Sequence, residues 1–369
     1  MKPLQEEPND RVISAETTSL GARLRFHIRH LSPAYFAIVM ATGIVSIAAH
    51  IDGMHLIAMA LLAINAVLYM ILLLLTTLRI VCHRQYFVAD IRDHRRSVGF
   101  FSAVAATCVL GSQSLIVAQQ LKAGMLLWGF GIALWLVSTY SIFTVLIVKQ
   151  NKPSLAAGIS GTWLLAVVAA QSIAVLSARL AVHWGQPYRL EANFLALSMW
   201  MWGGMLYIWM ISLIFYRYTF FRFLPGDLEA PYWINMGAMA ISALGGATLV
   251  SNTPDAWFLH SLRPFLEGFT VFFWATGTWW IPMLVILFVW RHLYSHFPLH
   301  YNPLYWGAVF PLGMYAVCTA EMASAMDLQF LAHISHVFVW VSLLAWSLCF
   351  LGFIRRVSRN VRAPVSVAS

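Results

Sequence analysis

Ten separated apolar stretches, each long enough to cross roughly 30 Å of hydrocarbon, limit what this chain can fold into more than any other feature. They fall near 34–50, 56–78, 99–118, 124–148, 157–178, 194–216, 233–252, 265–290, 304–326 and 331–352. Lipid offers no partner to a backbone amide, so each stretch must satisfy its own hydrogen bonds as a helix. The fold class expected is therefore an all-α integral membrane protein with ten transmembrane helices. Composition agrees: 60% of the 369 residues are hydrophobic and 10% charged, whereas soluble domains carry about a quarter charged. The domain layout reads as a tail over 1–32, a transmembrane domain over 33–354 and a second tail over 355–369.

Charge sets the expected orientation. If the amino terminus is inside, 19 of the 23 Lys and Arg fall in cytoplasmic segments, leaving Lys122, Arg179, Arg189 and Arg263 on the other side. That asymmetry follows the positive-inside rule and puts both termini in the cytoplasm of a plasma or inner-membrane protein. Residues 1–32 lack the apolar core and cleavage site of a signal peptide, so the tail is expected to be retained. Topology accounts for the basic excess, and no nucleic-acid partner is needed. Cys82, Cys108, Cys318 and Cys349 are too far apart in sequence to suggest a zinc site or a redox pair.

The odd and even spans differ in kind. The odd ones hold 49 Gly, Ala, Ser or Thr in 102 residues and 3 Trp; the even ones hold 31 in 119 and 11 Trp. Small side chains let backbones approach closely, while bulky aromatic ones fill space against lipid. The odd spans recur every roughly 60 to 75 residues and run in one direction, the sign of a parallel repeat of five helical hairpins. Gln113-Ser114-Leu115 and Gln171-Ser172-Ile173 weakly echo one another. The expected architecture is an inner ring of odd helices, either around a central pore or packed solid.

Four segments carry a resemblance. They are Pro33-Ala34-Tyr35-Phe36-Ala37-Ile38-Val39-Met40-Ala41-Thr42-Gly43-Ile44, Gly161-Thr162-Trp163-Leu164-Leu165 with Gln171-Ser172, Tyr232-Trp233-Ile234-Asn235-Met236-Gly237-Ala238, and Trp306-Gly307-Ala308-Val309-Phe310-Pro311-Leu312-Gly313-Met314-Tyr315. Over about residues 31–354 the chain resembles the tellurite-resistance/dicarboxylate transporter family. Its members include bacterial TehA-like proteins, fungal malate and sulfite transporters and plant slow anion channels. The resemblance implies a homotrimer with one pore per subunit, lined by the five odd helices and blocked midway by a phenylalanine of the ninth, which here is Phe310.

Physical reading of the residues gives the same gate a rationale. A ring turned into a narrow pore blocks ions sterically and by excluding water. Pro311 removes one helix hydrogen bond, which frees a carbonyl and bends the helix beside the ring. Phe310, Met314, Val317 and Glu321 share one helical face. Glu321 is either a functional carboxylate or a helix-end group paired with a cation such as Arg263; left unpaired, it would repel anions. Thr42, Ser46, Thr107, Ser114, Thr162 and Ser242 are candidate pore-lining hydroxyls, each with bonding back to its own helix as the rival role. No cationic side chain is read as lying well inside an odd helix, so anions should bind weakly and pass. Asn235 opens the seventh span, and Gly245-Gly246 in its middle allows bending or close packing.

His292, His296 and His300, and separately His333 and His336, have on-face spacings for metal ligands. The two groups are expected on opposite membrane faces, so no metal site, cofactor or catalytic residue is assigned, and the chain is not read as an enzyme. The reading that results is transport of small inorganic or organic anions such as chloride, nitrate, sulfite or malate, by a Phe-gated pore in each subunit embedded in membrane lipid. Its rivals are a proton-coupled carrier for a C4-dicarboxylate, sulfite or tellurite-related oxyanion, a membrane metalloenzyme, and a non-conducting sensor. No glycine-rich phosphate loop supplies ATP, so a primary pump working alone is not expected.

Overall fold

The computed structural model describes residues 20–298 and 301–362. Most of the 1–32 tail, the last residues of the other tail, and His300 lie outside the described residues. Among the described residues, ten helices are long and apolar enough to cross a membrane: span 1 Pro33–Ile51, span 2 His55–Cys82, span 3 Ser97–Val117, span 4 Leu121–Val148, span 5 Gly161–Ala181, span 6 Tyr188–Phe220, span 7 Ala230–Ser251, span 8 Trp257–Tyr294, span 9 Pro303–Ala325 and span 10 Gln329–Ser358. Among the described residues there is no strand. Ten crossings return the chain to its starting side, so the two described ends share one face. That face carries most of the arginines and is called the basic face below.

The odd spans are 67–94% buried and the even spans 17–50%. Each odd span packs on its odd neighbours in the order 1, 3, 5, 7, 9 and back to 1, which closes a ring. Small residues permit that closure. A methyl group on Gly43 would sit 2.7 Å from Val109 across the 1–3 contact, and one on Gly313 would sit 2.9 Å from Ile44 across the 9–1 contact. Gly111 against Leu176, Gly161 against the backbone of Pro231, and Gly237 against Pro311 do the same for the other three contacts. Backbone approach of this kind replaces the hydrophobic drive that lipid cannot supply. Gly245 and Gly246 resolve in the same way, toward close packing: they abut Trp200 and Thr270 within one continuous helix.

The hairpins repeat in detail. Every odd span opens at the basic face with a short 3₁₀ turn, at Pro33–Phe36, Ser97–Phe100, Gly161–Leu164, Ala230–Trp233 and Pro303–Tyr305. These five turns touch one another in sequence around the ring. Each of the first four hairpins is also tied shut by a cation at the end of its even span, which donates to a main-chain carbonyl just ahead of its own odd span. Arg79 reaches Arg29 O at 3.2 Å, Lys149 reaches Arg92 O at 2.8 Å, Arg217 reaches Ile159 O at 3.2 Å and Arg291 reaches Leu228 O. In the fifth hairpin, packing of Gly352 against the Tyr301 ring occupies the equivalent place.

The even spans run longer than their apolar stretches. Span 6 exceeds the expected 194–216 at both ends and span 8 exceeds 265–290. The added turns are polar enough to stand outside hydrocarbon, and their tethering cations hold them helical. Buried Asp90 anchors the first of these ends through Arg79 at 2.6 Å and Arg96 at 2.6 Å.

Candidate functional site

Two small cavities lie inside the ring. The one nearer the basic face is lined by spans 1, 5, 7 and 9, with Ala37, Met40, Thr162, Leu165, Gly307 and Phe310 on its wall. The far one is lined by all five odd spans, with Ile44, Ser112, Ser172, Arg179, Met314 and Val317 among its wall residues. Each is about 20 Å³, room for roughly one water. The ring axis is therefore interrupted, neither an open bore nor a uniformly packed core.

Phe310 is 1% exposed and faces the interior. It borders the near cavity, while Met314, one turn further along, borders the far one. Pro311 continues the helix without an amide hydrogen, so the carbonyl of Gly307, also on the near wall, has no helical donor. Pro311 itself is wedged against Gly237 of span 7, which leaves span 9 little freedom to slide there.

The far cavity carries a charge pair. Arg179, third from the end of its helix, lines the wall, and its guanidinium lies 3.5 Å from the Glu321 carboxylate. Their side chains are 14% and 26% exposed. Arg179 Nε and Nη2 are buried with no hydrogen-bond partner among the described residues. Glu321 therefore has a cation beside it, and that cation also borders the far cavity. Arg263, the partner named from sequence, is instead bound to Glu267 at 2.8 Å.

The hydroxyls divide. Thr162 lies on the near wall. Thr42 accepts from Trp346 Nε1 at 3.0 Å, Ser46 donates to Ala58 O at 2.7 Å, and Thr107 bonds Tyr69 at 2.8 Å, all toward outer helices. Ser114 and Ser242 each donate to the carbonyl four residues back, at 2.8 Å. Ser112 and Ser172 line the far cavity instead; Ser172 stands in a segment singled out in the sequence, but neither was read there as pore-lining. Gln113 and Gln171, the weakly repeated pair, both tie an inner helix to an outer one: Asn65 donates to Gln113 at 2.7 Å, and Gln171 donates to Trp200 O at 3.0 Å. Asn235 donates to Tyr218 at 3.2 Å, at the basic end of span 7.

Among the described residues, no three His, Cys, Asp or Glu side chains gather as metal ligands. His336 bonds Asp52 at 2.6 Å and His292 bonds Phe297 O at 2.8 Å.

A closed ring of small-residue helices, sheathed by lipid-facing ones and lined along its axis, defines a polytopic membrane protein built for passage across the bilayer. The chain belongs to the family described as voltage-dependent anion channel (SLAC1), which matches residues 30–354. This is the TehA-like family that the segments in spans 1, 5, 7 and 9 resemble. A protein named as an uncharacterized transporter of Methanocaldococcus jannaschii is 23% identical over 340 residues, covering 90% of this chain and 97% of its own. A second transporter of that organism is 23% identical over 328 residues, covering 87% and 92%. A membrane protein of Mycobacterium tuberculosis is 35% identical over 156 residues, covering 42% of this chain and 79% of its own. Membrane anion transport is the activity of the family.

Proposed function

We propose that this protein conducts small anions along the axis of the five-helix ring, with Phe310 as the closed gate and the basic face toward the cytoplasm of the plasma membrane. The observation that carries the reading is the position of Phe310 and its neighbours. A fully buried ring borders one axial cavity, and the next turn of the same helix borders the other, so the ring lies where two segments of a path would join. Turning it aside would merge them.

Arg179 supports the anion preference. Its side chain borders the far axial cavity, and its charge offsets that of Glu321, a carboxylate that would otherwise repel anions there. The axis between the charge pair and the gate is apolar with scattered hydroxyls, so selectivity would follow dehydration cost and diameter. The assembly is a homotrimer with one such path per subunit.

The test is anion flux in proteoliposomes, comparing chloride, nitrate, sulfite, malate and tellurite for the parent and Phe310→Ala. A gate predicts much greater flux of at least one anion in the variant. Unchanged flux in correctly folded Phe310→Ala protein rejects the assignment. Saturable flux that tracks a proton gradient selects the dicarboxylate or oxyanion carrier instead.

A further inference from the structure

The five junctions where an outer helix meets the next inner helix are not equivalent. Span 2 leans on span 3, span 4 on span 5, span 6 on span 7 and span 10 on span 1, but span 8 stands off from span 9, where the packing is sparsest. The gap is a cleft of about 620 Å³ at the basic face, between spans 8 and 10, with Ala308, Val309 and Leu312 of span 9 among its lining residues. The cleft is open between two lipid-facing helices, so molecules of the surrounding membrane can enter it.

Its walls state what that occupant is. Leu284 and Phe288 on one side and Ala345 and Leu348 on the other are apolar and belong to helices that face lipid. The rim holds Arg291, His292 and Arg355. Glu229, the one carboxylate among the described lining residues, is bound to Arg95 at 3.0 Å. Burial pushes the Tyr301 hydroxyl up to about 12, so it adds no negative charge. Arg291 sits in a π-helical turn over Trp290–Tyr294, which ends span 8, a rare distortion that is frequent at functional sites. One nitrogen of Arg291 holds Leu228 O and its plane lies 4.4 Å over the Phe297 ring, yet its buried Nε has no partner among the described residues. Apolar walls at membrane depth under a cationic rim complement a phosphate with acyl chains.

We propose that this cleft is a binding site for an anionic phospholipid of the leaflet at the basic face, its headgroup phosphate on Arg291 and Arg355 and its chains along Leu284, Phe288, Leu312 and Leu348. The site does not depend on how the axis conducts. Its floor is the reverse side of the Phe310 turn, so a lipid seated there also braces that turn.

The experiment uses purified protein in neutral detergent, titrated with dioleoylphosphatidylglycerol or dioleoylphosphatidylcholine, and reads bound lipid by native mass spectrometry and the thermal unfolding midpoint. Phosphatidylglycerol should be retained on the order of tenfold better than phosphatidylcholine. Arg355→Gln, at the exposed rim, should cut that preference about fivefold, and Ala345→Phe, which fills the cleft, should abolish retention of either lipid there. Arg84→Gln, basic but away from the cleft, should change nothing. Equal retention of both lipids, or a preference unchanged in Arg355→Gln and Ala345→Phe, overturns the proposal. Stabilisation by inorganic phosphate equal to that by the lipid overturns it in favour of a free-anion site. Cross-linking between two copies through Cys349, which lines the cleft, with no lipid retained, overturns it in favour of a subunit interface.

Discussion

The near and far halves of the ring interior are built from the same five helices and have cavities of the same size, yet their chemistry differs. Near the basic face the wall is apolar apart from Thr162 and ends on the Phe310 ring. On the far side it carries Ser112, Ser172 and Arg179, with Glu321 beside the arginine. Most of the polar groups that could meet an anion lie in the far half. The near half offers it mainly exclusion. The difference separates two tasks that one uniform bore would have to combine, attracting the ion and holding it back.

The largest expected effect tests the near half. Phe310→Ala should raise anion flux about a hundredfold, the equivalent of about 2.7 kcal/mol removed from a barrier, measured in proteoliposomes. Arg179→Gln tests the far half: it removes the cation and leaves the Glu321 charge facing the axis, and chloride flux in the Phe310→Ala background should fall roughly tenfold. Glu321→Gln in that background should act in the opposite sense, raising chloride flux about threefold by leaving Arg179 unopposed. If both changes move flux in the same direction, the pair acts as structure and the two halves are not divided by charge. The smallest change expected is from Thr162→Val, within about twofold, since a single wall hydroxyl contributes about 0.5 kcal/mol or less once its rival bonds to backbone are counted.

The ring and its sheath were legible in composition, because a helix pressed between backbones and a helix pressed against lipid select different side chains. Ala169 and Gly246 on one kind, and Trp209 and Trp279 on the other, could be sorted without coordinates. Direction around each inner helix was not legible. Spans 5 and 7 are buried on nearly every side, so no polar face marks where the axis lies, and Ser242 and Ser172 look alike in sequence though only the latter borders a cavity. Arg179 was discounted for a related reason. It sits near a helix end that reads as a connection, and only the approach of span 9 turns it toward Glu321. The hairpin tethers were also hidden: Arg79, Arg217 and Arg291 look like ordinary basic flanks, and their carbonyl partners are 50 or more residues away.

The five 3₁₀ turns that begin the inner helices meet one another all the way round, as the staves of a cask meet at its rim. A rim without a gap cannot widen at one stave alone: any dilation is shared among five joints, each already fixed by a glycine or proline backbone. A covalent clamp across a single joint, far from the aromatic plug, would therefore stiffen the whole mouth.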